Sequence, residues 1–390
     1  MIRAMNDGRF RTPSPEIRRT STVLFDSIAQ LRETLAASRA GDRRYSSYGT
    51  HGTPTTAALE AMLVEGEGGA GVELASTGLG AIVTAMLAVV HAGDHLLVTD
   101  SAYGPARDFS SGMLARLGVD VEFYDPLAGG GVAALIRPTT RLIWMESPGT
   151  HTFEVQDVPA IVEAAHAADH RVVTALDNTW GSPGLFRPFD HGVDISVVAL
   201  TKYWGGHADL LMGGTFANTE LLPAVREAAR LTGTAVSGED AFLVMRGART
   251  VDLRLREQGA AALDIAGRLA AHPRVARVLH PALPGDPGNA VWKRDFHGSS
   301  GLFSFELRRL EGSPADQEDA DAIADRLVAR GHFGLGYSWG GFESLVMPAR
   351  WSGLARAARP WTGGPLLRLS IGLDPAPVLW ADLEAALDGG

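Results

Sequence analysis

From Gly71 onward the chain alternates short apolar, β-branched runs with longer stretches of helical period, and that alternation restricts it to a few architectures. Val72 to Ala75 reads as a strand, Ser76 to Gly80 as a glycine turn and Ala81 to Val90 as a helix. Further strands are predicted at His95 to Thr99, Arg141 to Met145, Arg171 to Leu176 and Asp194 to Leu200, with a helix at Val158 to Ala168. Runs this apolar suit strands covered on both faces, as a parallel sheet with crossover helices provides. The expectation is an α/β chain with a mainly parallel, doubly wound sheet ending near Gly214. A helical stretch from Glu220 to about Ala271 follows. A smaller α+β region then has strands near Gly301 to Leu307 and Leu366 to Ile371 and a helix from Ala320 to Ala329.

In open sheets of this kind, ligands collect beyond the carboxyl ends of the strands. Polar side chains fall just past four predicted tips: Tyr103; Glu146 and Ser147; Asp177, Asn178 and Thr179; Thr201 and Lys202. Each alone reads as a cap or turn residue, but together they describe a pocket. Lys202 ends an apolar run and is followed by Tyr203, Trp204, Gly205 and Gly206. Either it closes a strand and points to water, or it is a partly desolvated amine whose lowered pKa frees a lone pair to attack a carbonyl. Ser76 to Gly80 is similarly either an ordinary turn or an anion cradle at a helix start.

The first 55 residues are polar, with Arg9, Arg11, Arg18, Arg19, Arg43 and Arg44 around a short helical pattern near Ile28 to Ala37. Such an arm has little core of its own and is expected to lie on something else. A helix begins near Pro54. Arg246, Arg249, Arg254 and Arg256 read as a solvated or inter-subunit face. His166 and His170 have i,i+4 spacing but lack the glutamate of a zinc-binding helix, so they read as surface histidines and no metal is expected. The chain has no cysteine, which removes disulfides, thiol nucleophiles and thiolate zinc sites. A net charge of −10 without a basic tract argues against nucleic acid as a partner. No apolar stretch is long enough to cross a bilayer, and the amino terminus lacks a signal-type apolar core. A soluble, cytoplasmic protein with no membrane partner is the expectation.

The stretch DISVVALTKYWGGH resembles the lysine signature of the pyridoxal-phosphate enzymes of cysteine and methionine metabolism, the trans-sulfuration family. SYGTHGTPTT, ESPGTHTFEVQDVPAIV, DNTWGSPGLF, RGARTVDLRLR, WKRDFHGSSGLFSFEL, GYSWGGFESL and LLRLSIGL match in the same order, almost end to end. The resemblance implies the aspartate-aminotransferase-like fold (type I), with an arm at 1–55 contacting a neighbouring subunit, a cofactor-binding large domain at 56–250 and a C-terminal α+β domain at 251–390. Lys202 would carry pyridoxal 5'-phosphate as a Schiff base and shuttle a proton; Asp177 would pair with the pyridinium nitrogen, and Tyr103 would stack on the ring. Gly78 and Leu79, through their amides, and Thr201, through its hydroxyl, would hold the phosphate. Arg368 would clamp the substrate carboxylate beside Tyr337, Ser338 and Trp339. Tyr48 would reach phosphate and substrate amine from a neighbouring subunit, which implies a homo-oligomer, commonly a tetramer in the family.

The form SWGG around Trp339 most resembles the bacterial cystathionine β-lyases, so the implied activity is β-cleavage of an amino-acid thioether to a thiol, pyruvate and ammonia. The alternatives are γ-elimination or γ-replacement in the same kind of site, or a scaffold without catalysis. Two positions depart from the family. Thr50 stands where an arginine usually meets the phosphate, and Ala199 where many relatives carry a small hydroxyl residue. Losing a charge-assisted bond typically costs about 1.5–3 kcal/mol. Weaker cofactor affinity is therefore the expectation, unless His51, Arg43 or Arg44 supplies a cation instead.

Overall fold

The computed structural model describes residues 12–169, 171–308, 316–349 and 356–389, so Arg9, Arg11 and His170 lie outside the described residues. In chain order, α1 (Ile28–Arg39), α2 (Pro54–Glu67), β1 (Gly71–Ala75), α3 (Gly78–Leu87), β2 (His95–Thr99) and α4 (Gly104–Asp108) come first. β3 (Asp120–Tyr124), β4 (Thr140–Glu146), α5 (Val158–Ala168), β5 (Val173–Asp177), β6 (Ile195–Val198) and β7 (Gly213–Ala217) complete a seven-stranded sheet among the described residues. Its order is β1-β7-β6-β5-β4-β2-β3. Only β7 runs against its neighbours; the other strand pairs are parallel.

The apolar runs are continuous because successive strand residues point to opposite faces and both faces are covered. In β4, Leu142 and Trp144 join a core with Ile82 and Met86 of α3. Ile143 and Met145, one residue out of phase, join Val158, Ile161 and Ala165 of α5. Truncating the fully buried Trp144 to alanine would cost about 3–5 kcal/mol.

Most boundaries shift by one to four residues from the sequence reading, and two of the shifts bear on the site. α3 starts at Gly78 rather than Ala81, because the Thr77 hydroxyl caps it by accepting from Gly80 N at 2.9 Å. Glycine is tolerated there, since first-turn amides have no intrahelical partner to lose. β6 ends at Val198 rather than Leu200 and is parallel to β5 but antiparallel to β7, so it is not inside a purely parallel sheet.

The predicted helical stretch after Glu220 is three helices: α6 (Leu222–Thr232), α7 (Gly238–Ala248) and α8 (Val251–Ala270). Then follow β8 (Val275–Leu279), α9 (Asn289–Asp295), β9 (Leu302–Leu307), α10 (Asp316–Arg330), β10 (Phe333–Leu335), β11 (Ser344–Pro348), β12 (Leu366–Ser370) and α11 (Ala376–Leu387). These strands form a second sheet of order β10-β11-β12-β9-β8, antiparallel except for β10 beside β11. Ala262, Ile265 and Leu269 of α8 pack with Phe303, Phe305, Ile323 and Leu383 in its core, while Val251 and Leu255 at the other end of α8 pack on Tyr203. One long helix thus ties the smaller sheet to the segment carrying Lys202.

The arm meets the rest of its own chain mainly through polar contacts: Arg249 Nη2 donates to Pro13 O at 2.8 Å, Arg19 pairs with Glu239, and Arg43 pairs with Glu60. Leu24 is 88 % exposed and Ile28 64 %, so the arm leaves apolar side chains uncovered by the single chain. Among the described residues no helix is long and apolar enough to cross a membrane.

Candidate active site

Beyond the tips of β2, β4, β5 and β6, beside the start of α3, lies a cavity of about 570 Å³. Lys202 reaches it because the backbone turns immediately after β6. Lys202 N donates to Ala199 O at 3.0 Å, Gly205 N to Leu200 O at 2.8 Å and Gly206 N to Lys202 O at 2.7 Å. Gly206 has φ +69°, and a Cβ there would run into the Arg254 guanidinium.

Arg254 corrects the sequence reading. Arg246, Arg249 and Arg256 are exposed, but Arg254 is buried. Its Nη2 donates to Tyr203 O at 2.7 Å and to Gly247 O at 2.9 Å. The cause is helical period: residue 254 shares the inward face of α8 with Val251, Leu255 and Gln258. The buried guanidinium ties α7 and α8 to the lysine turn.

The Lys202 amine does not point to bulk water. Nζ donates to Ser338 Oγ at 2.9 Å and lies 5.2 Å from the centre of the Trp339 ring. Burial, and then the positive charge of Arg368, lowers its pKa to about 8, with Asp177 and Glu343 pulling the other way. A neutral amine is therefore available at a pH where an exposed lysine is almost wholly protonated.

Asp177 ends β5. Its Oδ1 accepts from Thr179 N at 3.0 Å and from Thr179 Oγ1 at 2.6 Å. Burial pushes its pKa up, with Thr179 and Lys202 opposing. Glu146, ending β4, accepts from Tyr103 N at 2.6 Å and from Thr150 Oγ1 at 2.6 Å. Burial, and then the neighbouring Asp177, pushes Glu146 up to about 8. Two carboxyls thus share one desolvated region that does not easily hold two negative charges. Tyr103 caps α4 and lines the cavity, its phenol pushed up first by burial and then by both carboxylates.

Arg368, in β12, enters from the smaller sheet. Its Nη2 donates to Tyr337 O at 2.8 Å and Ser338 O at 3.2 Å, which fixes the segment carrying Trp339. Burial lowers it to about 10, so it stays charged at neutral pH. Tyr337 lines the cavity mouth and is 82 % exposed.

Gly78 and Leu79 open α3 at the cavity wall, and a Cβ at Gly78 would lie 2.7 Å from that of Ala199. Thr201 also lines the cavity, but its hydroxyl donates to Met212 O at 3.1 Å and accepts from Met212 N at 3.0 Å. As folded, its one proton is committed to the backbone rather than to an anion.

Not every polar tip residue faces the cavity. Ser147 Oγ accepts from Gln156 N at 3.0 Å, and Asn178 Nδ2 donates to Glu67 Oε1 at 2.7 Å and Phe186 O at 3.1 Å. Both are buried supports. Tyr48 is half exposed and is not among the lining residues of the single chain. Nor is Arg43 free to replace a missing phosphate cation: its Nε and Nη2 each donate to Glu60 at 2.8 Å, and Nη1 lies 3.3 Å from Glu73. Arg44 pairs with Asp42, and His51 Nδ1 lies 3.0 Å from Ser47 Oγ. His166 meets Asp194 at 3.0 Å, and the described residues contain no cluster fit for a metal. His151 was missed from sequence, because SPGT reads as a turn and no periodicity marks the residue after it. It lines the cavity with φ +67°.

A half-buried amine and a buried carboxylate at adjacent strand tips, with a helix start beside them, make a site suited to an aldehyde cofactor with an anionic tail. The model of the Cys/Met metabolism PLP-dependent enzymes matches residues 2–388, and the chain belongs to that family. It is a pyridoxal-phosphate-dependent enzyme with that family's α/β fold. A putative cystathionine β-lyase of Rhizobium johnstonii is 47% identical over 95% of this chain and 90% of its own length. The cystathionine β-lyase of Escherichia coli is 40% identical over 95% of this chain and 92% of its own. A cystathionine γ-synthase structure from Xanthomonas oryzae pv. oryzae superimposes with a TM-score of 0.85 at 33% identity, covering 98% of this chain and 94% of that one.

The residues fit the cofactor. Thr179 takes only Oδ1 of Asp177, and among the described residues no hydrogen bond reaches Oδ2, which leaves an oxygen open to the cavity for a ring N–H⁺. The amine stands within electrostatic reach of that carboxylate, and the first amides of α3 stand at the wall for a phosphate.

Proposed function

We propose that the enzyme is a carbon–sulfur β-lyase acting on cystathionine or a related amino-acid thioether. The observation that carries this reading is the Lys202 amine, held between Ser338 and Trp339 within reach of Asp177 and Arg368. The similarity to proteins named cystathionine β-lyase supports the choice of substrate class. When bound, pyridoxal phosphate supplies an electron sink for the pair left at Cα on proton removal. Lys202 would hold the cofactor and then take that proton. Asp177 would keep the ring nitrogen protonated, Tyr103 would cover the ring, and Gly78, Leu79 and Thr201 would face the phosphate. Arg368 would orient the substrate carboxylate in a two-point pair that a lysine could not match. The C–S bond then breaks with release of the thiol; water completes the conversion of the remaining fragment to pyruvate and ammonia.

The arm, 1–55, would complete the site of a neighbouring copy, placing Tyr48 against substrate and phosphate in a homo-oligomer, a dimer of dimers. Its uncovered Leu24 and Ile28 support that reading. The likeness to a γ-synthase favours a second reading, γ-elimination or γ-replacement in the same pocket. Product analysis with cystathionine separates them: pyruvate and homocysteine for β, 2-oxobutyrate and cysteine for γ-elimination. Formation of 2-oxobutyrate without pyruvate would overturn the β-lyase reading.

A further inference from the structure

His151 sits in a backbone conformation that side chains other than glycine seldom adopt. Its φ is +67°, and Thr152 N donates to Thr150 O at 2.9 Å, closing a three-residue turn around it. A turn of this hand is rare and strained, and such strain persists only where the surroundings over-determine it. Here they do. Arg356 Nη2 donates to Thr150 O at 3.1 Å and also to Thr152 Oγ1, while its Nη1 donates to Glu154 Oε1 at 2.8 Å. Thr150 N donates to Ser101 O at 2.8 Å, Phe153 N to Gly149 O at 3.0 Å, and Thr150 Oγ1 to Glu146 Oε1 at 2.6 Å. The loop is clamped from β2, β4 and the segment holding Arg356, and this presents the imidazole to the cavity.

Among the described residues no hydrogen bond reaches the imidazole, and its Nδ1 is buried. An enclosed polar atom in that state is unfavourable, and Nε2, the ring nitrogen not enclosed in this way, is the one a ligand in the cavity would meet. The nearby charges are Arg368 and Arg356. Arg356 is neutralised by Glu154, and Arg368 is the group suited to the substrate's α-carboxylate. Among the described residues, His151 is thus an uncommitted polar group beside these two arginines.

We propose that His151 is a specificity-determining residue that hydrogen-bonds the carboxylate carried on the leaving-thiol half of the substrate. The inference rests on the β-lyase reading above. Burial, then Arg368 and Arg356, lowers the ring's pKa to about 4, so in the absence of substrate it is neutral and offers one N–H and one acceptor. A cysteine thioether with a plain alkyl leaving group has nothing for it to hold; cystathionine, whose leaving thiol bears its own carboxylate, does.

The test compares cystathionine with S-ethylcysteine, with pyruvate as the readout, in the holoenzyme and two variants. His151→Gly removes the ring and relieves the positive φ, so misfolding does not mask the result. His151→Asn keeps a side-chain N–H₂ in a residue that tolerates positive φ. His151→Gly is expected to raise KM for cystathionine about tenfold or more, with kcat and both constants for S-ethylcysteine within about twofold, and His151→Asn to recover part of the loss. Equal losses on the two substrates would assign His151 to the loop alone and overturn the inference, as would no change on either. Absence of pyruvate from both substrates with the unmodified enzyme would instead sink the β-lyase reading, which keeps the two failures apart.

Discussion

At one wall of the cavity Lys202, Asp177 and Arg368 each arrive with partners from their own chain: Ser338, Thr179 and the backbone of residues 337–338. At the start of α3 the same chain offers backbone amides, the methyl of Ala199 and a Thr201 hydroxyl already bound to Met212. The charged wall is held in place by hydrogen bonds, and burial shifts its pKa values before any ligand enters. The helix start has only the partial charge of its free N–H groups, worth about half an elementary charge. On the proposed reading, the groups nearest Cα come mainly from this chain, whereas neutralisation of the phosphate would draw on a neighbouring copy.

The sharpest attack on that contrast is Lys202→Ala, which is expected to reduce pyruvate formation to background and to abolish the borohydride-sensitive absorption of a lysine imine. Turnover at the parent rate would refute the role given to the amine. Next in size, Asp177→Asn keeps the shape and removes the charge. Turnover is expected to fall about a hundredfold or more while the protein still binds cofactor, as read by absorbance after dialysis. A loss of binding with unchanged kcat would move Asp177 from the reacting wall to a purely structural place.

A smaller effect probes the other end. If Thr50 of a neighbouring copy faces the phosphate, Thr50→Arg should tighten cofactor binding about tenfold or more, measured by titration of the apoprotein. No change would show that the phosphate's cation comes from elsewhere. The smallest effect is one of pH. The Lys202 ammonium has no lone pair, and its folded pKa is about 8, so cofactor uptake by the apoprotein should speed up as pH rises through about 8 and level off above it. A rise centred near the pKa of an exposed lysine would mean that the amine is solvated.

Much of this was legible along the chain because a buried parallel sheet writes itself locally. β2 and α5 lie where their periodicity puts them; Glu146 and Asp177 are the last residues of their strands rather than just past them, and Tyr103 and Lys202 follow β2 and β6. The places where local reading failed share a cause. Arg254 looked like part of a charged surface, yet its position on α8 turns it inward, where carbonyls from two other segments receive it. Ser147 and Asn178 look like tip residues equal to Glu146 and Asp177, but each found a buried partner away from the cavity.

By itself, the sequence determined the alternating α/β core and the polar residues at its strand ends, since these depend on hydrophobic period; the roles of Lys202 and of Asp177 and Arg368 near it are what the family resemblance implies. Only the tertiary structure decided how far that amine is desolvated, that Arg43 is taken by Glu60 and Glu73, and that His151 is held at φ +67° against the cavity. Burial and partner choice depend on groups tens to hundreds of residues apart, such as Lys202 and Ser338, and no local pattern carries that information.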